Sequence, residues 1–149
     1  MLISVSIQPL AAEEVDIYTG YYSRDREDGK AAEIAGVSKY VKFYPDKLVV
    51  MIYIPYEYSQ GLSSGEIHAA LNDIKLRVRP ESYNKDKFGA LMELTVAHVE
   101  LYRAMDDGQL EFECDGTAPC RARFEGDSML LRKAGMVSDH ISGYNRVVD

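Results

Sequence analysis

The sequence predicts a single α+β domain: a mainly antiparallel sheet of about five or six strands with two or three helices. Three observations lead there. Stretches of roughly four to eight residues alternate apolar and polar side chains or crowd β-branched and aromatic residues, as strands do. Pro, Gly and Asp interrupt them at spacings that suit hairpins. One Ser-x-x-Glu signature and one long apolar stripe carry the helical period instead. With 149 residues, 46% of them hydrophobic and 28% charged, the chain matches one ordinary globular domain spanning 1–149.

In MLISVSIQP, Ile3, Val5 and Ile7 alternate with Ser4 and Ser6, which predicts a strand that Pro9 ends. The acidic connection IYTGYYSRDREDGK follows, with turns at Gly20 and Gly29, and GKAAEIAG adds a short helix ended by Gly36. VSKYVKFY and KLVVMIYIPYEY read as an antiparallel pair joined at Pro45 and Asp46. The second run is apolar on both faces from Leu48 to Ile54, as a central covered strand must be. Ser63-Ser64-Gly65-Glu66 is a capping box, and Ile67, Ala70, Leu71 and Ile74 follow on one helical face. That helix is expected to give way near Lys75 to a short strand, KLRVR, stopped by Pro80.

Residues 84–107 fit two periods. Phe88, Leu91, Met92, Thr95, Val99, Tyr102 and Met105 form a helical stripe, whereas Met92, Leu94 and Val96 alternate. The longer stripe and the stop at Gly108 favour a helix. LEFECDGTAPCRARFE then alternates on both sides of a Gly- and Pro-containing loop and reads as a hairpin. A register with Cys114 opposite Cys120, Phe112 opposite Ala122 and Leu110 opposite Phe124 also sets Glu113 against Arg121 and Glu111 against Arg123. Finally, Asp127 or Ser128 caps a short helix through MLLRKAG, ended at Gly135, and residues 136–149 read as a peripheral tail.

Charge and motif usage exclude several function classes. The net charge is −7: residues 1–36 carry −4 and residues 80–110 and 111–127 carry −3 each, while 37–60, 61–79 and 128–149 carry +1 each. Duplex nucleic acid needs a concentrated basic face, so direct binding to it is not expected. No apolar run approaches the ~18 residues that span a bilayer, and the N-terminus has no basic n-region. A cytoplasmic protein without membrane contact is the expectation. Cys114 and Cys120 stand alone without histidines at ligand spacing, which predicts neither a metal site nor a cofactor; packing as two small apolar thiols is favoured over a disulfide. Local signatures of catalysis such as GxSxG, HExxH, a Walker loop or GxGxxG are missing, so a binding role is favoured over an enzyme.

Tyrosine is the compositional signal: eleven, with four phenylalanines and no tryptophan. Tyrosine offers large amphipathic contact area at low entropy cost. Tyr18, Tyr21 and Tyr22 precede Asp25, Glu27 and Asp28, and Tyr56 and Tyr58 end a strand with both rings on one side. These eight residues form the expected partner-binding face. The function expected from them is a small acidic binding protein that docks on the basic surface of a nucleic-acid-handling protein as an inhibitor. An immunity protein or a phage-encoded anti-defence protein would fit. The alternatives are a structural or assembly subunit and a small enzyme of unknown class.

Overall fold

Strands consecutive in the chain pair antiparallel at every step but one, and the resulting sheet curls until its two edges nearly meet. The computed structural model describes residues 16–24, 36–77, 96–114, 119–133 and 141–148. Its strands are β1 (Tyr21–Ser23), β2 (Val37–Phe43), β3 (Leu48–Pro55), β4 (Val96–Leu101), β5 (Arg103–Ala104), β6 (Leu110–Glu113), β7 (Pro119–Glu125), β8 (Ser128–Lys133) and β9 (Ile141–Val147). They form one sheet in the order β4-β3-β2-β1-β9-β8-β7-β6-β5. Only Tyr102 separates β4 from β5, yet these strands lie at opposite edges of that order. The chain thus steps from one edge to the other and nearly closes a barrel, which limits exposed strand edges.

Two short helices occur among the described residues, α1 (Tyr56–Ser59) and α2 (Ser64–Arg77). The α+β expectation with five or six strands is therefore corrected to a mostly-β barrel of nine. No helix among the described residues is long and apolar enough to cross a membrane.

The β2–β3 hairpin forms as the sequence predicts, with pairs running from Val37↔Pro55 to Phe43↔Val49. Its turn is closed by the Tyr44 N–H donating to the Leu48 carbonyl at 2.9 Å. β3 is covered on both faces: Val49 and Met51 join the barrel interior, while Val50, Ile52 and Ile54 meet Ile67, Leu71 and Ile74 of α2. The capping box is reciprocal. The Ser63 N–H donates to Glu66 Oε1 at 2.9 Å and the Glu66 N–H to Ser63 Oγ at 3.1 Å.

Six expectations fail for one shared reason: packing against residues distant in the chain overrides an ambiguous local signal. The predicted helix over 84–107 is strand in its described part, with β4 pairing β3 from Leu48↔Leu101 to Tyr53↔Val96. There Ala97 and Val99 extend the apolar surface beneath α2. The predicted cap and helix at 127–135 are, in their described part up to Lys133, one side of a hairpin instead. Gly126, at φ 60, takes the first central position of a two-residue turn, and β8 pairs β7 from Glu125↔Ser128 to Cys120↔Lys133. The predicted tail contains β9, which lies between β1 and β8. The loop 17–30 contains β1, and KLR (75–77) continues α2, whose last turn Lys75 ties to Asp46 at 2.7 Å. Tyr56 to Tyr58, expected to be extended, belong to the one-turn helix α1, held by the buried Ser38 and Ser59 hydroxyls 2.5 Å apart. The strand expected at 1–9, the helix expected from 29 up to Gly36, the end of KLRVR and residues 84–95 lie outside the described residues.

The cysteine hairpin forms, but two residues out of the predicted register: Glu111 faces Arg121, Phe112 faces Cys120 and Leu110 faces Ala122. A shift of two leaves every side chain on its face and the loop length unchanged, so alternation does not discriminate between these registers. Ion pairing does. Glu111 accepts from Arg121 Nε at 3.1 Å and also from Arg103, and both guanidinium groups hold its carboxyl below its usual value. Cys114 and Cys120 are joined as a disulfide across the loop, with Cα atoms 5.7 Å apart, rather than standing as two thiols. Glu111→Arg should be rescued by Arg121→Glu and not by Arg123→Glu. Coupling to Arg123 instead, measured in a double-mutant cycle of thermal stabilities, would restore the other register.

Candidate functional site

Alternation along each strand decides which side chains enter the barrel. Tyr22, Val41, Phe43, Val49, Met51, Tyr102, Phe112, Met129 and Tyr144 form its apolar interior. Phe43 sits at the centre, with ring centroids of Tyr22, Tyr102, Phe112 and Phe124 at 6.3, 5.6, 5.7 and 5.4 Å, all near edge-to-face.

One end of this interior is clamped. Arg146 pairs with Asp127 Oδ1 at 3.0 Å and donates to the carbonyls of Asp16 and Thr19, joining the segment before β1 to the β7–β8 turn. Nearby the Tyr102 hydroxyl donates to the Tyr44 carbonyl at 2.6 Å. On the outer side Lys42 is buried and donates to the carbonyls of Tyr18 and Gly20 at 2.9 and 2.8 Å.

The other end is basic. Lys39 shares the inward parity of Val41 and Phe43 and pairs with Tyr53; its ammonium lies 5.5 Å from the Tyr53 ring centre. Arg24 directly follows β1, and its backbone N–H donates to the Lys39 carbonyl at 3.1 Å. Lys133 pairs with Cys120, whose side chain is interior. His98, opposite Met51, meets the Tyr53 ring edge-to-face at 5.9 Å. Burial first, and then the charges of Arg24 and Lys133, hold the Lys39 ammonium below the usual lysine value. Burial likewise lowers His98, so its ring is neutral near pH 7, and raises the phenols of Tyr53 and Tyr144. Half-buried Lys39 therefore shares this end of an acidic chain with two aromatic rings, those of Tyr53 and His98.

No family model, curated protein or solved structure matches the chain. Its function is therefore read from this geometry.

The residues singled out from sequence do not form one face. Tyr21 and Tyr22, 2% and 0% exposed, point to opposite sides of β1 and enter different cores, because adjacent strand residues alternate and both faces here are covered. They are unavailable as surface anchors in this fold. Tyr18, 41% exposed, lies at the clamped end near Tyr102. Tyr56 is half-buried, and Tyr58 is 48% exposed on α1, beyond the basic-end terminus of β3. Asp25, Glu27 and Asp28 lie outside the described residues.

Sequence reasoning missed Arg24, Lys39, Tyr53, His98 and Lys133. One signal was present: Lys39 sits at an inward position of a strand whose other inward residues are Val41 and Phe43. A second basic feature, a shallow groove outside β7 and β8, is lined by Gln109, Arg121, Arg123, Leu130 and Arg132. Arg121 is paired with Glu111, and Arg123 with Glu125 at 3.1 Å, which suits a solvated face.

Tyr22 Oη is buried with no hydrogen-bond partner among the described residues. Leaving a buried hydroxyl unsatisfied costs about 1–3 kcal/mol. Tyr22→Phe should therefore leave stability unchanged or raise it by up to about 1 kcal/mol in urea titrations. A clear loss would reveal a partner for the hydroxyl.

Proposed function

We propose that this protein binds a small molecule at the basic end of its barrel. The observation that supports this most is the contrast between the two ends. At one end the polar groups close on one another through Arg146, Asp127 and Tyr102. At the other, Lys39, Tyr53 and His98 take inward positions of their strands, with the Lys39 ammonium against the Tyr53 ring. Counting β4 and β5 as one interrupted strand gives eight staves, a size whose interior either fills with side chains or holds one small ligand. Here side chains fill the middle and the clamped end. A thermal-shift screen of small organic molecules should yield ligands whose effect is lost in Tyr53→Ala and kept in Arg123→Ala on the outer wall. Ligands indifferent to Tyr53 would overturn the assignment.

A second reading keeps the acidic chain as an inhibitor that docks on a basic, nucleic-acid-handling protein. The exposed Glu57 and Tyr58 on α1 and the net charge of −7 support it. Reversing Asp25 and Glu27 should slow association with such a partner more at low salt than at high salt. A salt-insensitive complex would count against it.

A further inference from the structure

We infer that the outer face of β7 and β8 docks an acidic peptide segment of a partner protein, whose carboxylates meet Arg121 and Arg123 while an apolar residue between them sits on Leu130. This surface is separate from the barrel end and does not depend on the small-molecule reading. The shallow groove there is lined by Gln109, Arg121, Arg123, Leu130 and Arg132, so no carboxylate lines it among the described residues. Register sets these side chains in two rows across the sheet. In one, Arg103, Glu111, Arg121 and Arg132 follow one another on β5, β6, β7 and β8. In the other, Arg123 stands beside Leu130 and Leu130 beside Gly143. Neighbouring strands lie about 4.8 Å apart, so the first row crosses about 14 Å, the reach of about four extended residues. Its one carboxylate, Glu111, is already shared: Arg121 Nε donates to it at 3.1 Å and Arg103 Nε at 2.7 Å. The Glu111 side chain is 11% exposed against 43% for Arg121, so the acid lies at the base of the row and the guanidinium above it. A guanidinium carries five N–H donors in a fork; Arg121 uses Nε on Glu111 and presents its Nη groups to a carboxylate from outside. Arg123 meets Glu125 at 3.1 Å with both side chains more than half exposed, a pairing that contributes little and exchanges readily. Arg132 has an interaction of its own, and Arg121 with Arg123 suffices without it. Leu130 is half-buried on the outward side, and its neighbour Gly143 has no side chain to cover it: a Cβ there would stand 4.0 Å from Leu130 Cδ2. Guanidinium groups around an apolar floor suit a peptide in which acidic residues flank an apolar one, as arginine clusters read acidic motifs. A nucleic-acid strand suits it less, because a net charge of −7 repels a polyanion more than a short peptide and Leu130 gives phosphates no partner.

The test is a titration of the ¹⁵N-labelled chain with three probes: the end-blocked pentapeptide EELEE, its uncharged counterpart QQLQQ and a short oligothymidylate. EELEE should shift the amides of Arg121, Arg123 and Leu130 and bind at least about tenfold more tightly than QQLQQ, the difference that one charge-assisted hydrogen bond makes. Added salt should weaken it. Arg121→Gln should weaken EELEE by about tenfold. Arg123→Gln alters an exposed side chain, so it should weaken EELEE by about fivefold while leaving the melting temperature unchanged. Glu111→Gln removes the competing carboxylate and should tighten EELEE. If QQLQQ binds as tightly as EELEE, or both arginine variants keep full affinity, the recognition of acidic residues is wrong. If oligothymidylate binds this face more tightly than EELEE, the occupant is a nucleic acid and the peptide is wrong. If no probe perturbs β7 and β8, this face is not a docking surface. None of these results touches the small-molecule site, whose residues lie on other strands.

Discussion

Removal of residues 141–149 is expected to abolish cooperative folding. The segment contains β9, which pairs with β1 at Tyr21↔Val147, Tyr22↔Arg146 and Ser23↔Asn145, and with β8 from Ser128↔Asn145 to Arg132↔Ile141. Deleting it strips hydrogen-bond partners from both neighbours and opens the barrel at its middle. It also removes the buried Tyr144 and the Arg146 clamp. Burial of one large side chain is worth about 1.5–3 kcal/mol, and the exposed strand edges add to that loss. A domain whose whole stability is of order 5–15 kcal/mol does not survive the combination. Circular dichroism and thermal melts decide it. A truncated chain that keeps a native-like spectrum and a sharp melt would show that the C-terminal segment is peripheral after all.

Phe43→Ala is expected to cost about 3–5 kcal/mol, the range for emptying a ring-sized volume in a packed core. Phe43 is fully buried and touches four aromatic rings drawn from β1, β6, β7 and the β4–β5 step. The cavity would therefore sit where opposite walls of the barrel meet and could not close by moving one strand. Leu101→Ala is the control. Leu101 is 63% exposed, and its truncation should change stability by no more than about 0.5 kcal/mol. Urea titrations with equal slopes for all three proteins give the comparison. Similar costs at the two positions would mean that Phe43 is not at the centre of the core.

The parts of the fold legible in the sequence are those whose signals are complete within a few residues. Ser63 and Glu66 satisfy each other's amides inside one turn. Val37 to Pro55 hold two strands and the tight turn that sets their register. The Leu110–Glu125 hairpin was visible as a hairpin, with its apolar and charged faces assigned to the correct sides. Its register was not, since a slip of two residues preserves both faces, and only Arg103 on β5 brings a second guanidinium to Glu111. The Gly126-Asp127 turn was a readable hairpin signal, but Leu130 beside Leu131 blurred the alternation of β8. The candidate site was barely legible. Its residues come from β2, β3, β4, β8 and the position after β1, and no local pattern says that they share one end of a barrel.

What the sequence determined by itself was the pairing of β2 with β3, the start of α2, the presence of a hairpin around the two cysteines and the acidic balance of the chain. Each depends on contacts between near neighbours, where the entropy of closing the loop is small and the side-chain pattern leaves one choice. Tertiary structure alone decided that residues 96–101 are strand, that β9 joins β1 to β8, that the sheet curls into a barrel and that Lys39 takes an inward position beside the Tyr53 ring. Segments with two plausible periods take the one that buries apolar surface and pairs open edges. Those partners lie far along the chain, so no window of sequence contains them.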